Sequence, residues 1–249
     1  VETLTALAPS LLGVAVLAAV ATVVFVAYRV PRPWAPVSAI ARGAVQLAVI
    51  SVVLTGVIRD PWLIAAALVV MFLIASSVAA RRLGSFTEHW PHVAVTMLAG
   101  ALCALVTVFA TGALEFTPRY SLAIGAMVIG NCMSSTTLTG RMFLAAVEDH
   151  WDEVEGWLAL GATPHRSTLD LARRTVHDAL VPAIDQTRTT GLVVLPGAFV
   201  GAIFGGVSPL GAGRFQIVVL AAIMAAGSVS AALTTLWLGS TRTTPQRAT

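Results

Sequence analysis

Seven apolar stretches run through this chain, at 8–28, 37–58, 61–80, 92–113, 120–144, 181–206 and 215–239. Each is close to the roughly 20 residues that a helix needs to cross a hydrocarbon core. Short polar punctuation separates most of them, as in the proline-containing run from Arg29 to Pro36, in Arg59-Asp60-Pro61 and in Arg81-Arg82-Leu83-Gly84. Inside a bilayer every backbone N–H and C=O must be bonded within the protein, so repeated stretches of this length fold as a helical bundle. The expected fold is all-α: a polytopic membrane protein, one transmembrane domain over 1–249 with about seven helices. Composition agrees, because 57% of the 249 residues are hydrophobic and only 11% are charged, against about 25% charged in soluble domains. The fifth and sixth stretches are the least uniform, and each is a candidate for a broken or partly re-entrant crossing. The first is too long for a signal-peptide core and further spans follow it; six crossings would result if it lay flat or were absent.

Arginine placement sets the expected orientation. With the N-terminus outside, the cytoplasmic segments hold Arg29, Arg32, Arg81, Arg82, Arg141, Arg166, Arg173, Arg174, Arg242 and Arg247, and the outer segments hold Arg59, Arg119 and Arg214. Arg42 and Arg188 are expected just inside spans near the cytoplasmic face, where long side chains snorkel. The reading is N-out and C-in, in a bacterial plasma membrane.

All 15 basic residues are Arg, and the chain has no Lys. A P-loop holds nucleotide phosphates with a lysine, so this chain carries no P-loop ATPase, and Schiff-base chemistry is excluded with it. No arginine run is dense enough to point to nucleic acid. Cys103 and Cys132 fall in apolar stretches without a metal-binding spacing and read as small buried hydrophobes.

Residues 148–180 differ in kind, holding 7 of the 12 acidic residues. Trp151, Val154 and Leu158 recur at helical spacing, as do Leu169, Ala172 and Val176. Between them, Gly161 can close one helix, Thr163 can cap the next, and Pro164 suits its first position. Two short helices with a sharp joint on the cytoplasmic face would suit transmission of force from an ATPase; a plain surface loop or an interfacial helix fits the pattern equally well.

The run Glu155-Gly156-Trp157-Leu158-Ala159-Leu160-Gly161-Ala162-Thr163-Pro164 resembles the EAA loop of bacterial ABC permeases, in the glutamate and in the glycine six positions later. Gly156 and Trp157 stand where that loop usually has two small residues. Arg42-Gly43-Ala44-Val45-Gln46-Leu47, Gly125 to Met133, Leu180 to Asp185, Gly191 to Gly197 and Phe215-Gln216-Ile217 are similar, in order, to landmarks of the FetB-type permeases. That family is described as bacterial iron exporters and includes plant permeases tied to aluminium tolerance. The resemblance implies a permease homodimer with two copies of a separate ATPase subunit, which would hold the ATP and magnesium, and no cofactor on this chain. Glu155, Leu160, Gly161, Ala162, Thr163 and Pro164 become the ATPase-coupling candidates. The implied cargo is iron, another metal ion or a small solute, with an organic solute such as a nucleotide sugar as the alternative.

Candidates for the pathway or its gate are Gln46, Asn131, Asp185, Arg188, Pro196, Gly197 and Gly201. Asn131 must find polar partners in the membrane and reads either as interhelical glue or as pathway lining. Gln46 reads first as an interhelical hydrogen-bonding group. Asp185 and Arg188 share a helix face, about one turn inside the cytoplasmic boundary, and read as a structural or gating ion pair or as a substrate contact. Pro196 would free the Leu192 carbonyl within a helix, and Gly197, Gly201 and Gly205 would form a glycine face, either a moving part or a static contact. Small residues four apart in the fifth stretch (Ser121, Gly125; Ala126, Gly130, Ser134) suit close helix packing. Met127, Cys132 and Met133 are soft donors, but successive positions point apart, so they read as packing rather than as a metal site.

An ion-coupled transporter would need more ionisable groups within its spans. An intramembrane enzyme would need a catalytic cluster at membrane depth, and the five histidines all fall near boundaries or in the polar segment. Purified free of other subunits, the chain is expected to release no phosphate from ATP; sustained ATPase activity in such a preparation would contradict this reading.

Overall fold

A polar residue followed by proline starts four of the helices. Asp60-Pro61, Thr117-Pro118, Thr163-Pro164 and Ser208-Pro209 each place a side-chain oxygen as acceptor for a backbone N–H in the first turn. Proline occupies the position whose own N–H would have no helical partner. The helix ends are equally regular. At Gly112, Gly161 and Gly206 the backbone turns left-handed, with φ of 66°, 88° and 88°. Each of these ends carries the paired hydrogen bonds of a Schellman motif, as in Ala162 N–H to Trp157 O at 3.0 Å and Gly161 N–H to Leu158 O at 2.9 Å. Arg29 closes the first helix in the same way at φ 52°.

The structure is a computed structural model that describes residues 2–57, 60–84 and 86–240, with side chains described over 9–51, 60–84 and 86–240. Its helices are α1 (Glu2–Ala27), α2 (Ala35–Val57), α3 (Pro61–Leu83), α4 (Phe86–Ala110), α5 (Pro118–Asp149), α6 (Trp151–Ala159), α7 (Pro164–Ser167), α8 (Leu169–Thr189), α9 (Gly197–Phe204) and α10 (Pro209–Leu238). No strand occurs among the described residues. Among the described residues five helices, α1, α3, α4, α5 and α10, are long and apolar enough to cross a membrane, and α2 is apolar over Ala35–Ser51. The chain is an all-α, multi-pass membrane protein. Arg59, Arg242 and Arg247 lie outside the described residues.

Residues 1–59 form one unit. There α1 packs on α2, burying Ala18 and Thr22. Arg42 and Gln46 are exposed on α2, and no hydrogen bond of the Gln46 amide to another described residue accompanies that exposure.

Residues 60–249 form the second unit, in which α10 lies against α4, α5 and α8. Its core is built largely from small side chains: Ala75, Ala79 and Ala80 of α3, Ala101 and Ala104 of α4, and Ala222 and Ala226 of α10, around Met97, Ile124, Val128 and Cys132. Apolar burial drives little in lipid, so close backbone approach carries the packing. Gly100 shows how close: a Cβ there would collide with Ser230 Oγ and the Ala226 carbonyl. The Ser230 hydroxyl donates to the Thr96 carbonyl at 3.3 Å, tying α10 to α4. Gly125 likewise lies against Leu68 and Gly140 against Leu83. Gly130, expected in the same kind of contact, has nothing within 4 Å of its Cβ position. Cys132 is buried as expected, whereas Cys103 is exposed, because it lies on the outward side of α4.

The ends of the second unit are set by contacts between distant residues. Leu83 meets Gly140, the His89 and His92 rings meet Trp237, and the Thr168 hydroxyl meets the Gly239 carbonyl. The ends of α3, α5 and α10 therefore share one side with the starts of α4 and α8. That side carries Arg81, Arg82, Arg141, Arg166, Arg173 and Arg174. At the opposite end Arg214 reaches the Ala113 carbonyl and Tyr120 stacks on Phe215, and the arginines there are Arg119 and Arg214.

The fifth expected span is one unbroken helix, longer than 120–144, running from Pro118 to Asp149. The sixth, expected over 181–206, is not one helix. α8 begins well before it at Leu169 and ends at Thr189; Gly191 turns the chain at φ 87°, and α9 starts only at Gly197. The start of α8 meets the end of α10 through Thr168 and Gly239, while Phe199 of α9 lies near Gly213 at the start of α10. α8, the turn and α9 thus run antiparallel to α10 as two helices joined by a break.

Candidate functional site

α8 has a composition unlike that of the other long helices. One stripe, Leu171, Thr175, Ala179 and Leu180, is buried, and α8 packs on α5 and α10. The expected stripe of Leu169, Ala172 and Val176 is only half-buried, because the helix is rotated so that its small Thr and Ala positions face the neighbours. Asp170, Arg173, Arg174, His177 and Arg188 lie away from that stripe, Asp178, Pro182, Asp185 and Gln186 lie beside or in line with it, and all nine are exposed.

Depth along α8 follows from two contacts. Thr168 touches Gly239, and twelve residues further along each helix Leu180 meets Gly227. At 1.5 Å per residue, Asp185 and Arg188 lie about 8 and 12 Å beyond Leu180, away from the arginine-rich end. That places Asp185 near the middle of α10's length. The pair was expected about one turn inside the start of the sixth stretch; because α8 begins earlier, at Leu169, the pair instead falls near the far end of α8. Their side chains form an ion pair at 3.8 Å and remain 59% and 76% exposed, respectively.

The helix end just beyond is satisfied locally. The hydroxyl of Thr187 donates to the Ala183 carbonyl at 2.8 Å, Thr189 to Asp185 O at 2.9 Å and Thr190 to Gln186 O at 2.7 Å. Gly191 N–H reaches Val194 O at 2.9 Å. These bonds satisfy the irregular backbone locally, as a turn without helical partners requires. The proline expectation is corrected here: Pro196 is the N-cap of α9 and Leu192 lies in the turn, so no helical carbonyl is freed. Gly197 and Gly201 face open space within the chain, and Gly205 is the C-cap of α9 rather than part of a glycine face.

Asn131 sits where α5 and α10 meet. Ser135 donates to its Oδ1 at 3.3 Å, and a Cβ on Gly227 would lie 3.0 Å from Ser135 Oγ and 3.2 Å from Asn131 Oδ1. Gly227 therefore admits the polar pair to the α10 backbone, with Leu180 of α8 beside it. Met127 and Met133 pack against the apolar core that encloses Cys132. Among the described residues no three of His, Cys, Asp and Glu gather as metal ligands.

The polar segment forms three helical pieces rather than two, and Gly161, Thr163 and Pro164 make the expected joint between α6 and α7. The inner side of α6 is Trp151, Val154 and Leu158, set among Phe143 and Val147 of α5, Leu171 of α8 and Leu238 of α10. The tip points away from the protein: Glu155, Trp157, Gly161 and Thr163 are exposed, Ala162 and Pro164 are half-buried, and Leu160 is 83% exposed. A rigidly seated joint with a bare leucine at its tip is suited to pushing on, or being pushed by, another surface.

Gly227, Ser135, Thr168 and Gly239 were not readable as site residues, since only tertiary contact reveals them. The charged stripe of α8 did have a signal, the recurrence of polar residues from Asp170 to Arg188 three, four and seven apart, which averaging over an apolar window conceals.

The sequence profile described as "Uncharacterised protein family (UPF0014)" matches residues 8–242. The chain belongs to the UPF0014 family. It is 39% identical over 201 residues to UPF0014 membrane protein STAR2 of Oryza sativa subsp. japonica, covering 79% of this chain and 70% of the relative. It is 34% identical over 203 residues to Protein ALUMINUM SENSITIVE 3 of Arabidopsis thaliana, covering 79% and 72%. It is 33% identical over 138 residues to Probable iron export permease protein FetB of Escherichia coli (strain K12), covering 55% and 52%. No solved structure matches the chain. The UPF0014 match takes in all of α2 to α10, and so includes both the α6–α7 joint and the break between α8 and α9.

In this UPF0014 chain the joint is held to α10 at Gly239, where a Cβ would lie 2.9 Å from the Thr235 carbonyl and 3.0 Å from Thr168 Oγ1. Gly239→Val is expected to destabilise that contact by about 1–3 kcal/mol. Hydrogen exchange should then quicken at backbone amides of 165–172 while those of α3 and α4 stay protected; unchanged exchange at 165–172 would show that the contact does not hold the joint.

Proposed function

We propose that this chain is the membrane-spanning permease subunit of an ABC transporter, oriented N-out and C-in, working as a homodimer with two copies of a separate ATPase. The observation that carries the reading is the polar face of α8 at membrane depth. Facing lipid, a charged residue near a helix centre costs about 2.5–3.5 kcal/mol or more. Facing water, an exposed pair such as Asp185–Arg188 costs little and contributes about 0–1 kcal/mol. The favoured arrangement turns this face toward a water-filled pathway, and a second copy of the chain supplies its other wall.

Drive enters at the opposite end. The arginine-rich side takes the cytoplasmic position under the positive-inside rule, so the tip around Leu160 and Gly161 is presented to a cytoplasmic subunit. Glu155, Leu160, Gly161, Ala162, Thr163 and Pro164 form the contact. Displacement of α6 moves the ends of α5 and α10 together through the Phe143, Val147 and Leu238 cluster. Further along those helices lie Asn131 and Gly227, next to Leu180 of α8. Chemistry on ATP and its magnesium belongs to the partner; this chain supplies the route and the lever. The relative named as a probable iron export permease supports export of iron, another metal ion or a small solute.

The test is ATP-driven transport in vesicles holding this chain and its ATPase, with ferrous iron, other metal ions and a nucleotide sugar each offered as cargo. Wild type should move at least one cargo. Gly161→Trp, which must place a bulky side chain at φ 88°, should cut that transport by about tenfold, equivalent to ~1.4 kcal/mol. Intact transport and intact ATPase assembly in Gly161→Trp would remove the coupling assignment.

A further inference from the structure

Between the end of α3 and the second half of α5 lies a groove of about 550 Å³ lined by Arg82, Ser134, Thr137, Leu138, Arg141 and Met142. Its two arginines come from different helices and carry the same charge. Among the described residues the ion pairs are Arg173–Asp170, His177–Asp178 and Arg188–Asp185, so neither Arg82 nor Arg141 is neutralised by a carboxylate. Neighbouring Arg81 is engaged elsewhere, over the Phe86 ring at 5.4 Å. Two uncompensated guanidinium groups at one groove repel each other unless an anion lies between them. Their planar forks match the oxygens of a phosphate.

The hydroxyls narrow the chemistry further. Ser134 donates to the Gly130 carbonyl at 3.1 Å and Thr137 to the Met133 carbonyl at 2.7 Å. Each hydroxyl has a single proton, already used, so what they offer the groove is lone pairs that accept from a donor. A ligand that satisfies the whole lining carries negative charge at one end and hydroxyl donors close to it, with Leu138 and Met142 against its carbon frame.

We propose that this groove binds a phosphate-bearing polyol, with Arg82 and Arg141 on the phosphate and Ser134 and Thr137 accepting from its hydroxyl groups. The site stands on α3 and α5 alone, apart from the α8 face, and does not rest on the transport reading. The same headgroup chemistry occurs in a soluble glycerol phosphate and in a phosphatidylglycerol lipid.

The full chain in phosphatidylcholine nanodiscs distinguishes these sources. In one arm, glycerol 3-phosphate is titrated and binding is read by calorimetry. In the other, phosphatidylglycerol is added to the bilayer and retained lipid is read by native mass spectrometry. Saturable binding in either arm is expected, weakened about tenfold or more in R82Q/R141Q and unchanged in the charge-matched R119Q/R214Q at the opposite end. S134A/T137V leaves both charges in place and should weaken the polyol phosphate while sparing inorganic phosphate, a result that holds even if R82Q/R141Q does not fold. Binding of glycerol 3-phosphate alone identifies a soluble ligand, and binding of phosphatidylglycerol alone identifies a lipid headgroup. Absence of saturable binding in both arms, or wild-type affinity in R82Q/R141Q and in S134A/T137V, would overturn the proposal.

Discussion

The seating of one narrow stripe of α8 against α5 and α10 is the contact on which the functional part of this structure depends. Leu171, Thr175, Ala179 and Leu180 are buried there, and burying them fixes the rotation of the helix. That rotation turns Asp170, Arg174, His177 and Arg188 away from the bundle, and beyond Leu180 the exposed set widens to Pro182, Asp185 and Gln186. A helix this polar is costly to hold in lipid on its own. In the proposed arrangement one side of α8 is held by its neighbours α5 and α10, and its far end is closed by the hydroxyls of Thr187, Thr189 and Thr190. The break at Gly191 follows from the same economy of hydrogen bonds, since the turn after α8 bonds within itself rather than to lipid-facing neighbours.

The other notable constraint is mechanical continuity. α5 passes without a break from Pro118 to Asp149, and α6 packs directly on its final turns through Val154 and Phe143. Thr168 and Gly239 add a second attachment, from the α7–α8 corner to the end of α10. Well-packed interiors pass on small displacements rather than absorbing them. A push at the Gly161 joint therefore has two stiff routes toward Asn131, Ser135 and Gly227.

Most of the fold was legible because apolar length is a strong signal in a membrane chain. The starts at Asp60-Pro61 and Thr163-Pro164, and the stop at Gly161, were legible for the same local reasons that the structure displays. What could not be read was the structure of the sixth apolar stretch. Its apolar run over 181–206 joins the end of a polar helix, a turn and a short helix, and hydropathy sums across all three. Asp185 and Arg188 fall further along their helix than expected for that reason, since α8 begins at Leu169, and only the Thr168–Gly239 contact locates that start in the bundle. The open positions at Gly130 and Gly201 are a different lesson: glycine spacing permits close approach but does not say what approaches.

Cysteine accessibility along α8 tests the central claim most directly. Single cysteines at 178, 179, 180, 182, 185 and 186, in a background lacking Cys103 and Cys132, would be reacted with a charged thiol reagent in membranes. The structure predicts labelling at 178, 182, 185 and 186 and protection at 179 and 180. Protection at 182, 185 and 186, or labelling without that helical period, would show that the polar face of α8 does not meet water within the membrane.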